Sequence, residues 1–520
     1  MKPATWQRLR QLTQVFALGL FIFLFTQSAY LVQSSPLDGL FYRLDLLVAV
    51  TSMLAGRLII PTLALAISTV FVTLVFGRVW CGWFCPLGTI LEWTSPNKKK
   101  NAIKVSEPAP VWRKTKFFLL IATLALAVLG NQTLLFLDPN TILTRTMAGA
   151  IWPVVRYGTF SFENFLYQFK FLWPVLDVIH AGLIVPLFHN FQSVFIAALP
   201  IFFFFLGLIA LNWSAERFWC RYLCPLGGLL GWLSRYSLLR REVHQPCKQC
   251  GLCSSQCPTG TIDPRNGYRS DPEECIVCTD CVKACNQGDV SFRWQLPHWK
   301  PAVKQSYNPS RRDALVTIAA AITGAALAGI EPIARRSPEH LIRPPGATLT
   351  DFESLCIRCG ECVRVCPTQG LQPVLLEGGW QNLMTPILMA RLGYCVYNCS
   401  ACIQSCPSGA IPKITLEGKH AAPMGLASIN RDRCLPWAYN TSCIVCEEMC
   451  PLPDKAVVLE QGEGQGQGLG QAGNASLLKP HVIREKCIGC GVCEFHCPVG
   501  GDAAIQVYSL PDKKPPLSGI

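Results

Sequence analysis

The chain has 520 residues and a formal net charge of +13; 28 residues are cysteine, 50% are hydrophobic and 15% are charged. Soluble domains carry about 25% charged residues on average, so this composition argues against an ordinary soluble enzyme. The cysteines occur in tight runs, which are typical of metal sites and unlike a secreted disulfide scaffold.

Five apolar segments are long enough to cross a bilayer, which takes about 20 residues and tolerates about 17 to 25. The first lacks the small-residue cleavage site of a signal peptide and therefore predicts a retained helix. The fifth is the shortest and is rich in alanine. These predicted spans are Leu12–Val32, Leu58–Phe76, Phe117–Leu137, Phe191–Asn212 and Ala314–Ile330.

The distribution of lysine and arginine predicts which segments face the cytoplasm, because basic residues are retained on that side. With a cytoplasmic N-terminus, residues 1–11, 77–116 and 213–312 carry 25 basic and 10 acidic side chains. The rest of the chain carries 21 basic and 23 acidic side chains. The positive excess thus falls on one side, including the run Lys98–Lys100, and indicates membrane topology. We therefore expect no nucleic-acid partner.

Between the third and fourth spans lies another apolar segment, Phe171–Leu187, which contains two prolines together with Asp177 and His180. We interpret it as an external interfacial or re-entrant helix. A full span here would reverse every later side assignment and remove the charge asymmetry.

The second and fourth spans are each followed by a C-x-x-x-C-P-L-G motif, CGWFCPLG at residues 81–88 and CRYLCPLG at residues 220–227. The membrane part therefore resembles a duplicated two-helix unit. The thiols could simply be buried beside a helix-ending proline. Recurrence of the pattern favours a thiolate site, a redox pair or a shared metal site, formed by Cys81, Cys85, Cys220 and Cys224.

Two cysteine quartets follow the fourth span, and the first has the C-x2-C-x2-C-x3-C-P spacing of bacterial ferredoxins. In that motif the fourth cysteine binds the other cluster of a pair. We therefore predict that Cys257 joins the second triplet and Cys285 the first. The two quartets are Cys247, Cys250, Cys253 and Cys257, and Cys275, Cys278, Cys281 and Cys285.

Four further quartets follow the fifth span, each ending in Cys-Pro. Zinc sites use cysteine pairs separated by longer loops, and disulfides would not require a repeated triplet, so [4Fe–4S] clusters are the favoured interpretation. All six quartets together predict six clusters, while the pairing of these four stays open. They are Cys356, Cys359, Cys362 and Cys366; Cys395, Cys399, Cys402 and Cys406; Cys434, Cys443, Cys446 and Cys450; and Cys487, Cys490, Cys493 and Cys497.

Ser310–Leu315 precedes the fifth span and resembles a twin-arginine export signal; two arginines anchoring an ordinary helix are the alternative. An export signal would suit a domain that leaves the cytoplasm already folded with its clusters. Ala326–Ala328 could be a cleavage site, but an uncleaved anchor keeps the electron path in one chain.

Three local features complete the predictions. Gly462–Gly473 is expected to be a flexible surface loop, Gln381–Leu392 an amphipathic helix, and Arg240 and Arg241 are expected at the lipid surface.

The predicted fold is an α-helical membrane domain of four spans plus a fifth anchor, combined with α+β bacterial-ferredoxin-like 2[4Fe–4S] modules. The domains are 1–241, a membrane domain; 242–300, a cytoplasmic two-cluster ferredoxin; 301–330, a linker and anchor; and 331–520, an exterior four-cluster domain.

This arrangement resembles two known proteins in one chain. Residues 1–300 resemble the NapH and MauN membrane iron–sulfur proteins, with four spans, two C-x-x-x-C-P motifs and a two-cluster ferredoxin. Residues 308–520 resemble NapG and MauM, with a twin-arginine-type start and four cluster motifs. The nitrate-reductase version implies quinol oxidation and electron delivery to a periplasmic reductase; the methylamine version implies a role near methylamine dehydrogenase formation. Fusion departs from the usual two-chain arrangement and leaves the partner open.

Our leading hypothesis is an inner-membrane electron conduit from the quinol pool to an exported redox enzyme or cytochrome. Quinol oxidation releases protons, for which Asp177 and His180 are candidate acceptors, although a snorkelling interfacial pair is the alternative. The rival functions are an electron donor for maturing an exported enzyme and a redox sensor. The chain contains no C-x-x-C-H haem motif, G-x-G-x-x-G loop or Walker motif, so we expect no substrate chemistry of its own.

Overall fold

A computed structural model describes residues 3–27, 39–95, 110–188, 195–244, 247–264, 267–285, 287–295, 311–328, 341–347, 352–375, 378–465 and 476–510. The chain forms two compact units. Unit 1 contains residues 1–27, 36–146 and 200–327, and unit 2 contains residues 28–35, 147–199 and 328–520. The segment between the third and fourth predicted spans thus belongs to the same unit as the C-terminal cysteine quartets.

Unit 1 is mainly helical. Its helices are α1 Pro3–Gln27, α2 Leu40–Arg43, α3 Leu46–Gly56, α4 Ala66–Phe76, α5 Pro86–Trp93, α6 Thr115–Val128, α7 Pro139–Thr146, α12 Pro225–Ser234, α13 Leu252–Ser255, α14 Asp280–Ala284 and α15 Arg311–Ala328. Helix α11, Ala198–Leu211, continues from unit 2 into unit 1.

Among the described helices, only Thr5–Gln27 is both long and apolar enough to cross a membrane. The second predicted span begins with a 3-10 turn at Pro61, so α4 has 11 residues. Helix α6 ends at Val128, just before Gly130 adopts a left-handed conformation with φ +78°, a common way to end a helix. The four spans and the anchor therefore stay predictions.

The helical core of unit 1 is formed by α3, α4, α6 and α12. The side chain of Asp45 caps α3 by accepting from Leu47 N at 2.9 Å, and it also accepts from Asn140 Nδ2 at 2.7 Å. Asp138 in turn accepts from Asn140 N at 3.0 Å and so begins α7. These buried polar contacts fix the relative positions of α3 and α7.

The two cysteine quartets of unit 1 lie between two antiparallel strands, β1 Leu239–Val243 and β4 Val290–Trp294, with the short hairpin β2 Ile262–Asp263 and β3 Arg269–Ser270 between them in sequence. The lipid-surface prediction is wrong for Arg241, and it stays a prediction for Arg240. Both lie on β1, and the Arg241 guanidinium donates to Cys281 Sγ at 3.3 Å and to Tyr268 O at 2.7 Å. The buried sulfur of Cys281 therefore binds the Arg241 guanidinium, which the sequence pattern had assigned to the lipid surface.

The first part of unit 2 is a helical segment with α8 Trp152–Leu166, α9 Trp173–Ile179 and α10 Val185–Leu187. Most of its large apolar side chains are exposed, among them Tyr157 at 77% and Phe171 at 78%. An apolar surface of this kind is suited to a membrane interface.

The second part of unit 2 consists of short helices and two-stranded sheets. The helices are α16 Phe352–Leu355, α17 Glu361–Arg364, α18 Ala401–Ser405, α19 Leu416–Ala421, α20 Leu435–Ala438, α21 Val445–Glu448 and α22 Val492–Phe495. The strands pair antiparallel as β5 Leu371–Pro373 with β6 Pro386–Leu388, β7 Gly425–Ile429 with β10 Ile505–Ser509, and β8 Val457–Gln465 with β9 Ser476–Val482.

The amphipathic helix predicted at Gln381–Leu392 is wrong. The segment contains the end of a 3-10 turn at Trp380–Asn382 and then β6. Pro386 lacks the N–H that a helix interior requires, and pairing with β5 satisfies the strand instead. Of the other local predictions, Ser310, Lys98–Lys100 and residues 466–475 of the Gly462–Gly473 loop lie outside the described residues.

Candidate iron–sulfur centres

In unit 1, the cysteine that ends the first ferredoxin run lies with the second run. The Cys257 thiol lies close enough to the thiols of Cys275, Cys278 and Cys281 to interact electrostatically with each of them. We call this group site 2. The Cys253 thiol neighbours those of Cys247 and Cys250, and these three, with Cys285 as the predicted fourth ligand, are called site 1.

In unit 2, two cavities each bring together four cysteines from two runs. A cavity of about 330 Å³ is lined by three cysteines of one run and by Cys406 of the next. A second cavity, of about 370 Å³, is lined by Cys395, Cys399 and Cys402 and by Cys366 of the preceding run. Site 3 is therefore Cys356, Cys359, Cys362 and Cys406, and site 4 is Cys395, Cys399, Cys402 and Cys366.

The last two runs repeat this exchange. A cavity of about 370 Å³ is lined by Cys434, Cys443, Cys446 and, from the final run, Cys497; this is site 5. The thiol of Cys490 neighbours those of Cys487 and Cys450, and that of Cys493 neighbours those of Cys490 and Cys487. Site 6 is therefore Cys487, Cys490, Cys493 and Cys450.

A direct backbone contact joins sites 4 and 6. Cys395 N donates to Cys490 O at 2.8 Å. On the same junction, the Arg391 guanidinium donates to Glu494 O at 3.1 Å and to Val499 O at 2.6 Å. The order of neighbouring sites in unit 2 is therefore 3, 4, 6, 5, which differs from the order of the runs in the sequence.

The sulfur atoms at these sites also receive backbone hydrogen bonds. Ile411 N donates to Cys406 Sγ, Ala504 N to Cys497 Sγ and Ala427 N to Cys487 Sγ, each at 3.4 Å. Burial raises the pKa of the Cys446 and Cys490 thiols to about 12. Such thiols stay protonated at neutral pH unless a bound metal takes the place of the proton.

These sites fit [4Fe–4S] clusters by their donor set. Four thiolates surround each cavity, and a cluster of this type uses four cysteine ligands, one on each iron. Among the described residues, no three His, Cys, Asp or Glu side chains converge on the position of one metal ion. A cubane does not require such convergence, because its ligands bind different irons.

The C-x-x-x-C-P motifs of the internal repeat adopt the same local structure. Each begins within a π-helical turn, Trp80–Phe84 in the first copy and Trp219–Leu223 in the second. The second cysteine of each then caps the next helix: Cys85 Sγ accepts from Gly88 N at 3.4 Å, and Cys224 Sγ accepts from Gly227 N at 3.2 Å.

The four thiols of the two motifs lie near one another. The Cys85 and Cys224 thiols are both electrostatic neighbours of the Cys81 and Cys220 thiols, and burial raises the pKa of Cys85 and Cys224 well above its ordinary value. We call this group the four-thiol site.

Buried charges that the sequence interpretation missed surround the four-thiol site. Glu274, next to Cys275, accepts from Arg78 Nη1 at 3.2 Å and is paired with Lys116. Glu92 is paired with Arg217 and, at 2.8 Å, with Arg10. All four basic side chains are buried, with at most 2% of each exposed. Charged residues flanking each cysteine motif were the only sequence signal for this network.

The candidate quinol residues Asp177 and His180 do not pair with each other. His180 Nδ1 lies 2.6 Å from Glu163 Oε1, and Glu163 is 5% exposed. Asp177 is exposed and accepts from Tyr167 OH at 2.8 Å. The structure thus adds Glu163, which lies 17 residues before His180 and carries no motif that could have identified it.

Iron–sulfur family profiles match most of the cysteine-containing segments. A 4Fe-4S binding domain profile matches residues 58–102 and 197–244, and 4Fe-4S dicluster domain profiles match residues 232–300 and 355–411. A further 4Fe-4S binding domain profile matches residues 480–501. No solved structure matches the chain.

Several curated proteins are similar to parts of the chain. The methylamine utilization ferredoxin-type protein MauM of Methylorubrum extorquens is 36% identical over 208 residues, 38% of this chain and 89% of MauM. The ferredoxin-type protein NapG of Escherichia coli is 35% identical over 192 residues, 36% of this chain and 79% of NapG. The methylamine utilization ferredoxin-type protein MauN of Methylorubrum extorquens is 27% identical over 266 residues, 49% of this chain and 76% of MauN. The chain therefore belongs to the MauM and NapG family and is an iron–sulfur, ferredoxin-type electron-transfer protein with several [4Fe–4S] clusters.

Proposed function

We propose that this protein is a membrane-bound conduit that holds six [4Fe–4S] clusters and carries electrons from quinol, through clusters of this kind, to a redox partner outside the cytoplasm. The observation that carries the proposal is the exchange of cysteines between runs, which surrounds each of three cavities in unit 2 with four thiols. A pair of clusters that exchange their fourth ligands is held close together, as electron transfer between them requires.

The ligands in this proposal are the 24 cysteines of sites 1 to 6. Bound clusters supply one-electron transfer, and the chain sets their spacing and the hydrogen bonds and charges around their sulfurs. In unit 1, Arg241 donates to a site 2 sulfur; in unit 2, Lys419 Nζ donates to Val396 O at 2.6 Å and to Cys399 O at 2.7 Å, which fixes the site 4 loop.

The contacts within unit 2 support an entry and an exit for electrons. The π-helical turn Met147–Ile151 packs against α17 of site 3, and Ile196 N donates to Gln372 Oε1 at 3.1 Å. Residues 147–199 lie between the third and fourth predicted spans in the sequence, so site 3 is in contact with the segment that contains α8 to α10. Electrons would enter there and leave at site 5, where Ile444 is 44% exposed beside Cys443.

The contacts within unit 1 support the proposed topology. The ferredoxin sites contact segments that the charge distribution assigns to the cytoplasm: Gln7 Nε2 donates to Asp280 Oδ1 at 2.5 Å, Trp83 Nε1 to Val277 O at 3.0 Å, and Arg113 to Gly260 O at 2.6 Å. Segments outside the predicted spans whose side chains are in direct contact lie on the same side of a membrane. This favours an inner-membrane protein with a cytoplasmic N-terminus and an exterior C-terminal domain.

The quinol site is proposed on α8 to α10. Oxidation of one quinol to quinone releases two electrons and two protons, and the electrons leave one at a time. The exposed His180, paired with the buried Glu163, and Asp177 nearby in sequence offer proton-accepting side chains beside an otherwise apolar and exposed surface. These groups would accept the protons, and the apolar side chains would bind the quinol ring and tail.

The test is reduction of the purified, reconstituted protein by menaquinol, followed by bleaching of the cluster absorbance. We expect reduction on a turnover timescale, and we expect His180→Gln to slow it at least about tenfold and to alter its pH profile. Thr159→Ser is the control, because it keeps the hydroxyl that donates to Val155 O on α8 and changes none of the proton-accepting or apolar side chains. A wild-type protein that is not reduced by menaquinol, while dithionite reduces it, would contradict the quinol part of the proposal.

A second candidate function is an electron donor for the maturation of an exported enzyme. The names of MauM and MauN, which assign both to methylamine utilization, favour it. The same experiment separates the two functions, because a maturation factor requires reducible clusters but no sustained oxidation of quinol.

A further inference from the structure

The four-thiol site of unit 1 has no role in the six-cluster conduit. Its cysteines come from both copies of the internal repeat, one from within each π-helical turn and one from the residue that follows the turn. In each copy one thiol caps a helix and accepts a backbone N–H at 3.2 to 3.4 Å. Backbone N–H groups directed at sulfur are a common feature of bound iron–sulfur clusters.

In each copy of the repeat, an arginine contacts the C-x-x-x-C-P-L-G motif of the other copy. Arg217 Nη1 donates to Cys81 O at 3.0 Å, in the first turn. The Arg78 guanidinium lies against the start of α12, directly after the second turn, where a Cβ added to Gly227 would be 2.9 Å from Arg78 Nη2. The two motifs are thus locked together around one centre by a reciprocal contact.

The buried side chains around the four-thiol site carry more positive than negative charge. Arg78, Lys116 and Arg217 are at most 1% exposed and share the carboxylates of Glu274 and Glu92. Arg10 pairs with Glu92 and also with Asp280, so four buried cations face three carboxylates. An unbalanced buried cation is costly. A cluster bound by four thiolates carries negative charge and would balance it.

Four buried N–H donors near the two motifs have no acceptor within the described part of the chain. They are Nε of Arg78 and Arg217 and the indole Nε1 of Trp80 and Trp219, at equivalent positions of the two copies. A buried donor without an acceptor costs about 1–3 kcal/mol. Four such donors in a two-fold arrangement indicate an acceptor that the polypeptide itself does not provide.

We propose that Cys81, Cys85, Cys220 and Cys224 together bind one additional iron–sulfur cluster. A single ion is not favoured, since no three potential ligands among the described residues converge on one point, and the same is true at sites 1 to 6. A disulfide is not favoured either, because all four cysteines are free. The four-thiol site therefore offers the same donor set, four cysteine thiols, as the other cluster sites.

The position of this centre connects it with site 2. A Cβ added to Gly82 would lie 2.3 Å from Ile276 O, so the first π-helical turn touches the loop between Cys275 and Cys278. The additional cluster would exchange single electrons with site 2: one centre is oxidised, the other is reduced, and no bond or proton changes. The proposal concerns binding and does not require quinol as the donor.

The test is the iron and acid-labile sulfide content of the full-length protein, combined with EPR spectra of the reduced protein. We expect about 28 iron atoms per chain if the cluster is a cubane, and about 24 in both Cys85→Ala and Cys224→Ala. Both variants should lose the same EPR signal, and the double variant should lose no more iron than either one. Thr89→Ser, a buried change on α5 outside the thiol group, should retain the full content.

Equal iron and sulfide in wild type and both variants would overturn the proposal. Mass spectrometry after alkylation provides a second measurement on the wild type: disulfides between these cysteines in iron-replete protein would identify a redox pair instead. If the variants do not accumulate, Mössbauer quantification of the wild type decides, since no more than six clusters would contradict the proposal. Menaquinol reduction of the same samples separates this result from failure of the quinol hypothesis.

Discussion

At the scale of single residues, the fourth cysteine of each run in unit 2 determines the pairing of sites. Cys366 lines the site 4 cavity and Cys406 lines that of site 3. Each is followed by a proline, which ends the preceding turn and directs the chain away from its own run. The cysteine that completes a site is thus remote in sequence from the other three.

This pairing predicts which substitutions act on the same site. Cys406→Ala should remove the same cluster signal as Cys362→Ala, and Cys366→Ala the same signal as Cys402→Ala, because each pair of cysteines lines one cavity. Each variant should lose about four iron atoms. EPR-monitored redox titration of the four variants is the measurement. If Cys366→Ala instead matched Cys362→Ala, each run would bind its own cluster and the exchange would be wrong.

Sequence spacing could predict part of this arrangement. The ferredoxin motif assigns Cys257 to the second run, and the Cys257 thiol does neighbour that run. The pairing of sites 5 and 6 could not be predicted, because eight residues separate Cys434 from Cys443 and a hairpin separates Cys450 from Cys487. That pairing depends on tertiary packing.

At the scale of elements, the junction between sites 4 and 6 depends on the absence of a side chain. Gly489 has φ +70°, and a Cβ there would lie 2.4–2.5 Å from backbone atoms of Gly425, at the start of β7. No flexible side chain can move aside to relieve this clash. The loop of site 6 can therefore approach the β7–β10 sheet only with glycine at this position.

Gly489→Ala should destabilise unit 2 by more than about 2 kcal/mol, since overpacking against backbone is added to left-handed strain. Gly409→Ala is the matched control, with φ +75° and no atom within 4 Å of the added Cβ, and should cost about 1 kcal/mol. Chemical denaturation monitored through cluster absorbance compares the two. Equal losses of stability would show that the cost comes from the left-handed backbone conformation alone, and that the close approach of Gly489 to Gly425 is unimportant.

Elements were predicted less completely than motifs. The sequence correctly indicated ferredoxin modules and the resemblance to NapG and MauM is confirmed by the comparisons. Apolar runs, however, do not give helix ends: α6 stops at Val128 because Gly130 turns the chain, although apolar residues continue to Leu137. The π-helical turns and the Arg78–Glu274 contact also have no signature in hydropathy.

At the scale of the whole molecule, our proposal assigns the cluster sites of unit 1 to the cytoplasm and those of unit 2 to the exterior. The prediction concerns exposed positions in each unit. With a membrane-impermeant maleimide on intact cells, Asp454→Cys should be labelled and Arg293→Cys should be labelled only after lysis. Both side chains are well exposed, at 89% and 61%, so access through the membrane is the difference between them. Labelling of both positions in intact cells would contradict the topology.

The exchange of cysteines also has a consequence for how the protein acquires its metal. No site in unit 2 can be completed by one run alone, so insertion of the first cluster of a pair requires the partner run to be folded and present. Once it is inserted, the partner run is already held in position for the second. Under iron limitation, cells should therefore accumulate chains with whole filled pairs and whole empty pairs, rather than chains with randomly missing centres.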